Sequence, residues 1–155
     1  MSDGYTVSRE TTIGAAPDVV FARLRDLTTW NDWSPWAAMD PNMQNTYSGA
    51  TGQVGSRSAW KGNRKVGEGS MTITGLDEPN RVEIDLQFLK PFKARNDIVF
   101  SLAPNADGTD VVWAMTGKVT LMTRVMGLLG KSMDKMVGPD FEKGLASLKA
   151  VVESN

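Results

Sequence analysis

The chain has 155 residues, 41% of them hydrophobic and 23% charged, with a formal net charge of −1. That length fits one domain, 1–155, able to bury roughly 70% of its unfolded surface without disulfides or metal, and the near-zero charge argues against nucleic acid or an anionic membrane as partner. The chain holds no cysteine and no histidine, which excludes disulfides, thiolate nucleophiles, Cys-based metal sites, Ser-His-Asp catalysis, haem ligation through His and facial-triad iron.

The N-terminal Met1-Ser2-Asp3-Gly4-Tyr5 lacks the basic and apolar regions of a signal peptide. No segment approaches the roughly 20 apolar residues that span a bilayer. The expectation is a cytoplasmic protein without stable membrane insertion. Residues 5–13 alternate, with Tyr5, Val7, Arg9, Thr11 and Ile13 on one face, and read as a strand. Ala16-Pro17-Asp18 opens a helix, because proline suits the first helical position and an acid suits the positive end of the dipole. Val20, Phe21, Leu24 and Leu27 are its apolar stripe. Three of the five tryptophans follow at once: Trp30, Trp33 and Trp36. Trp30 and Trp33 are one helical turn apart, and Pro35 prevents that turn from continuing. Residues 39–52 are rich in Gly, Asn and Pro and read as loop, with room for a short strand near Tyr47.

From Val54 to Gly117 the pattern is a meander, with strands at 54–61, 66–75, 81–89, 93–103 and 109–117. Turn chemistry at Gly62-Asn63, Asp77–Asn80, Lys90-Pro91 and Asn105–Gly108 separates them. Val82, Ile84, Leu86 and Phe88 alternate with Arg81, Glu83, Asp85 and Gln87, so one sheet face is dry and the other wet. The last third has a period of three to four, through Met122, Val125, Met126, Leu129, Met133, Met136, Val137, Phe141, Leu145, Leu148 and Val152. It predicts a short helical piece near 121–129 and a long helix over about 132–153, kinked or restarted at Pro139. The fold class is α+β: a curved antiparallel sheet of six to seven strands wrapped round a long C-terminal helix, with a short helical pair after the first strand. The gap between sheet and helix is the candidate site.

Five stretches also carry a likeness: Trp30-x-x-Trp33-Ser34-Pro35-Trp36, Ala59-Trp60-x-Gly62-Asn63-x-Lys65-Val66-Gly67-x-Gly69, Phe88 to Asn96, Val112-Trp113-Ala114-Met115-Thr116-Gly117, and Asp134 to Lys149. They resemble the START-related (SRPBCC) superfamily, and more narrowly its polyketide cyclase/dehydrase-like branch. The resemblance spans nearly the whole chain and implies a helix-grip fold with an internal cavity. The superfamily includes lipid carriers, hormone receptors, hydroxylase domains and cyclases, so no single reaction follows from it.

The candidate ligand-binding residues are those expected to face that gap. Trp60, Met71, Phe88, Trp113 and Met115 come from strands, Met133, Met136 and Phe141 from the closing helix, and Trp36 from the cavity mouth. Met122 and Met126 join the helical methionines, whose flexible thioethers adapt to irregular ligands but serve equally as core filling. Trp30 and Trp33 read as core that pins the first helix to the sheet. Asn96 shares its face with Ala94, Ile98, Phe100 and Leu102. A buried amide needs a partner, either strand backbone at a bulge near Pro91 or a ligand carbonyl or hydroxyl. Arg9 poses the same question near a strand end, from which it can snorkel outward.

Other motifs have plainer readings. Gly130-Lys131-Ser132 looks like the end of a phosphate loop, but Val125 stands where the first glycine is required, so it reads as helix surface. Arg57, Lys61, Arg64 and Lys65 around Trp60 read as a solvated hairpin, with an anionic head group or partner as the alternative. Glu83 and Asp85 fall on the wet face, Asp107 and Asp110 in a turn, and Asp134 and Asp140 are spaced with Lys131, Lys135 and Lys143 like helix-surface pairs. No catalytic pair is visible, and any acid–base work falls to Asp, Glu, Lys, Tyr or water. No cofactor and no metal is expected. The expected function is binding or carrying a small, mainly apolar molecule, lipid-like or aromatic and polyketide-like, in the cavity. Two alternatives stay open. One is a cyclase/dehydratase-type enzyme in which Asn96, a tyrosine or water moves protons, and the other is a protein-interaction module whose cavity is filled by its own side chains.

Overall fold

The alternation of residues 5–13 becomes a strand, β1 (Gly4–Ile13), in a computed structural model that describes residues 4–90, 93–118 and 132–154. Val7 and Ile13 are fully buried on its inner face. The chain then enters α1 (Pro17–Arg25), with the proline in its first turn and Val20, Phe21 and Leu24 buried. A 3₁₀ turn, Leu27–Asp32, follows, started by the Asp26 carboxylate accepting from the Thr28 N–H. Pro35 does stop that turn, but it also opens a further short helix, α2 (Pro35–Met39), since its fixed φ suits a first helical position.

The remaining strands are β2 (Gln44–Ser48), β3 (Arg57–Lys61), β4 (Glu68–Asp77), β5 (Arg81–Lys90), β6 (Ala94–Asn105) and β7 (Gly108–Lys118). The seven form one antiparallel sheet in the order β1-β7-β6-β5-β4-β3-β2. β2 is the short strand anticipated near Tyr47, within a segment that otherwise reads as loop, where its pairing with β3 outweighs the low strand propensity of Gln44-Asn45. The last element is α3 (Met133–Glu153). It continues through Pro139 as one helix, so it is not restarted there. Ser132, expected on a helix surface, is the N-cap and accepts from the Lys135 N–H. The expected helical piece near 121–129, with Met122 and Met126, lies outside the described residues.

Helix α3 packs across the inner sheet face through Phe141, Leu145, Leu148 and Val152. The Phe141 ring stacks on Trp113 of β7 at 4.0 Å between centroids and 8° between planes. Trp30 and Trp33 are core, as their position beside α1 predicts, and the Trp30 indole N–H donates to the Leu24 carbonyl in the last turn of α1. Outside the core, Arg9 reaches from β1 to α3 and donates to both Asp134 and Glu142. Asp85 departs from the wet-face reading: it is buried, because Arg95 and Gln87 fold over it and both donate to its carboxylate. Burial alone would raise its pKa, but those two hydrogen bonds and the Arg95 charge hold it below the usual carboxylate value. Among the described residues no helix is long and apolar enough to cross a membrane.

Candidate functional site

The sheet and α3 do not close completely. Between them, and beneath the 3₁₀ turn and α2, lies a cavity of ≈ 170 Å³. Strand register explains which side chains line it. One row across the sheet runs Ser58, Met71, Leu86, Asn96, Gly117 and Tyr5, each paired with the next on the neighbouring strand. The adjoining row brings Trp60 opposite Gly69, and Gly69 opposite Phe88. Side chains alternate along a strand, so the side chains in these rows share the face that meets the helix.

Of the residues expected at the site, Trp36, Trp60, Met71, Phe88, Asn96, Trp113, Met115, Met133 and Phe141 all line this cavity. Met136 does not. It is 44% exposed, because at 100° per residue the inner face of α3 passes through Met133, Val137, Asp140 and Phe141 and leaves Met136 on the flank. Val137 takes the place assigned to it.

The Trp60 end of the aromatic wall is held by the loop after β3. The Trp60 indole N–H donates to the Val66 carbonyl at 2.8 Å, which leaves the ring face to meet Phe88 edge to face at 5.6 Å. The loop that presents Val66 is tied by Asp40, which accepts from the Asn63 N–H, and by the Asn63 side chain, which accepts from Lys65 and Val66. Gly69 is required beneath this indole, since a Cβ would come within 2.6 Å of the ring. On the other side, Trp36 stands edge to face with both Trp113 and Phe141. Arg57, Lys61, Arg64 and Lys65 are all exposed, which fits a solvated hairpin.

Asn96 is the buried polar member, 4% exposed. Its Oδ1 accepts from the Tyr5 hydroxyl at 2.5 Å, across the bare backbone of Gly117. This side-chain partner within the protein was not anticipated from the sequence. Tyr5 went unnoticed in the sequence because its strand face was clear but its reach across two strands was not. With Oδ1 engaged, Nδ2 is the donor that remains, and it makes no hydrogen bond among the described residues. Burial raises the Tyr5 phenol above its ordinary pKa, which keeps it a donor.

Polar groups mark the rim. Asn31 donates to Asn45 at 3.0 Å, joining the 3₁₀ turn to β2, and Ser34 lies beside them. Asp140 completes the rim from α3. Its spacing to Lys143 suggested a surface ion pair, but no such hydrogen bond forms among the described residues. Burial pushes its carboxyl pKa up, with the Lys143 charge opposing. Among the described residues no group of acidic side chains is arranged to hold a metal ion.

A family model described as polyketide cyclase / dehydrase and lipid transport matches residues 5–153. No curated protein matches the chain by sequence. Among solved structures the chain is similar to protein CV1439 from Chromobacterium violaceum, at 15% identity and a TM-score of 0.69 over 96% of each chain. It is similar to protein MLL2253 from Mesorhizobium loti, at 16% identity and a TM-score of 0.71 over 97% of this chain and 98% of that one. It is similar also to Ara h 8.0201, at 14% identity and a TM-score of 0.67 over 98% and 99%. At such identities the likeness establishes the helix-grip fold and leaves the ligand to be argued from the site.

Proposed function

The chain belongs to the polyketide cyclase / dehydrase and lipid transport family, and from that membership and its cavity we propose that it binds a small, mainly apolar molecule between the sheet and α3. The observation that carries this reading is the ≈ 170 Å³ space walled by Trp36, Trp60, Phe88, Trp113 and Phe141. A cavity of roughly 150 Å³ holds one benzene, so the ligand body is about one ring or a short chain. Longer lipid-like or polyketide-like molecules leave through the rim beside Asn31 and Asn45. Asn96 Nδ2 donates to a ligand oxygen, preset by the Tyr5 hydroxyl, and the methionines fit themselves to the ligand outline.

The test is calorimetric titration of the full chain with propylbenzene, beside the variant Val137→Phe, which puts a ring into the same space. Wild type binds, and the variant unfolds cooperatively but binds nothing. Absence of binding to wild type refutes the reading, and undiminished binding to the variant puts the ligand elsewhere.

A second reading, a cyclase- or dehydratase-type enzyme acting on a polyketide-like substrate, is favoured by the same amide. A donor fixed on the wall stabilises an enolate oxygen as charge develops there. In that case Asn96→Ala loses turnover of such a substrate while propylbenzene still binds. An open cavity speaks against an interaction module with a self-filled interior.

A further inference from the structure

Asp140 is the one charged side chain among the described residues lining the cavity. Its setting differs from that of the other acids on the same stretch of helix. Asp134 and Glu142, with Gly138 between them, fall on the face that meets Arg9, and both carboxylates accept from its guanidinium. Asp140 is turned to the other side, with Met133, Val137 and Phe141. There its carboxylate has no hydrogen-bond donor among the described residues, and Lys143, one turn on, acts on it only through its charge.

Two features of this space select ligand charge in the same direction. A carboxylate at the edge of an apolar cavity repels an anion and gains a charge-assisted hydrogen bond from a cation. Among the described residues no cationic side chain lines the space, so a buried anion would find no charge partner there. The cavity is also too small for a large body, at ≈ 170 Å³. We infer that the cavity takes a small organic cation, a protonated amine on an apolar body about one ring in size, with its ammonium group at Asp140. This rests on the reading that the cavity binds ligands at all, and it supplies the chemical class which that reading leaves open.

Three probes of matched shape separate the two claims: 2-phenylethylammonium, propylbenzene and 3-phenylpropionate, titrated calorimetrically into the full chain at neutral pH. The amine binds tightest and the carboxylate weakest. Asp140→Asn weakens the amine about tenfold or more relative to propylbenzene, and its cooperative thermal unfolding shows that the variant is folded. The inference is overturned if the carboxylate or propylbenzene binds as tightly as the amine. It is equally overturned if Asp140→Asn leaves the amine's affinity intact. In both cases propylbenzene binding keeps the cavity reading. If none of the three probes binds, both fall.

Discussion

Gly117 is the position where one methyl group tests the polar end of the site. It pairs with Tyr5 on one side and Asn96 on the other, and the phenol–amide hydrogen bond passes over it. A Cβ there falls 2.6 Å from the Tyr5 hydroxyl oxygen and 2.7 Å from its Cζ, and closer still to Asn96 Oδ1. Gly117→Ala therefore drives the two side chains apart. Losing a hydrogen bond between buried groups costs about 1–3 kcal/mol, and crowding a packed site costs about 1–3 kcal/mol more. The lower chain entropy of alanine returns about 0.5–1 kcal/mol. The net loss is about 1–5 kcal/mol, or about 2–20 °C in Tm for a domain of this size. Tyr5→Phe removes the bond without the clash and costs about 1–2 kcal/mol. Urea and thermal unfolding of wild type, both single variants and the double variant complete the cycle. Gly117→Ala costs less in the Tyr5→Phe background, because the bond is already gone and the missing hydroxyl makes room. Full stability of Gly117→Ala, or strict additivity of the two changes, refutes the coupling.

Two more predictions concern stability. Burial raises the Tyr5 pKa in the folded state, so its contribution is fully present below about pH 10 and is lost as pH rises through the folded-state value. Urea midpoints measured between about pH 8 and 11 fall more steeply for wild type than for Tyr5→Phe; Tyr47, also raised by burial and by Asp26, supplies the slope that remains. Phe141→Ala removes the ring stacked on Trp113 and costs about 3–5 kcal/mol, the freed space joining the cavity instead of collapsing. Thermal unfolding reads the loss, titration with longer alkylbenzenes reads the larger cavity, and a cost below about 1 kcal/mol contradicts the grip of α3 on the sheet.

Much of this was legible in the sequence for a simple reason. Strand parity is unambiguous where alternation is strict, so Met71, Phe88, Asn96, Trp113 and Met115 could be assigned to one face without a structure. Helix phase is less well determined where apolar residues are adjacent. Met136 and Val137 both fit the period, and only contact with the sheet decides that Val137 faces in. Asp140 was hidden by Lys143, whose spacing imitates a surface pair although the carboxylate turns toward the cavity. Asp85 lies on the outer face, as its parity says, but the cover by Arg95, which joins Gln87 from the neighbouring strand, is a cross-strand event. The Tyr5–Asn96 bond was invisible for the same reason: it joins residues 91 apart in the chain through a register that only folding sets.

The central claim, that the space beneath α3 is a ligand cavity, is tested most directly by the methionines. Met43, Met71, Met115 and Met133 line the cavity, while Met136 lies on the outer flank of the same helix as Met133. With 13C-labelled methionine methyl groups, titration with propylbenzene is followed in the NMR spectrum of the full chain. The account predicts that the four lining methyls shift with one common binding curve and show contacts to the probe, while the Met136 methyl stays in place. Shifts centred on Met136, or no shift in the four lining methyls at saturating probe, would contradict it.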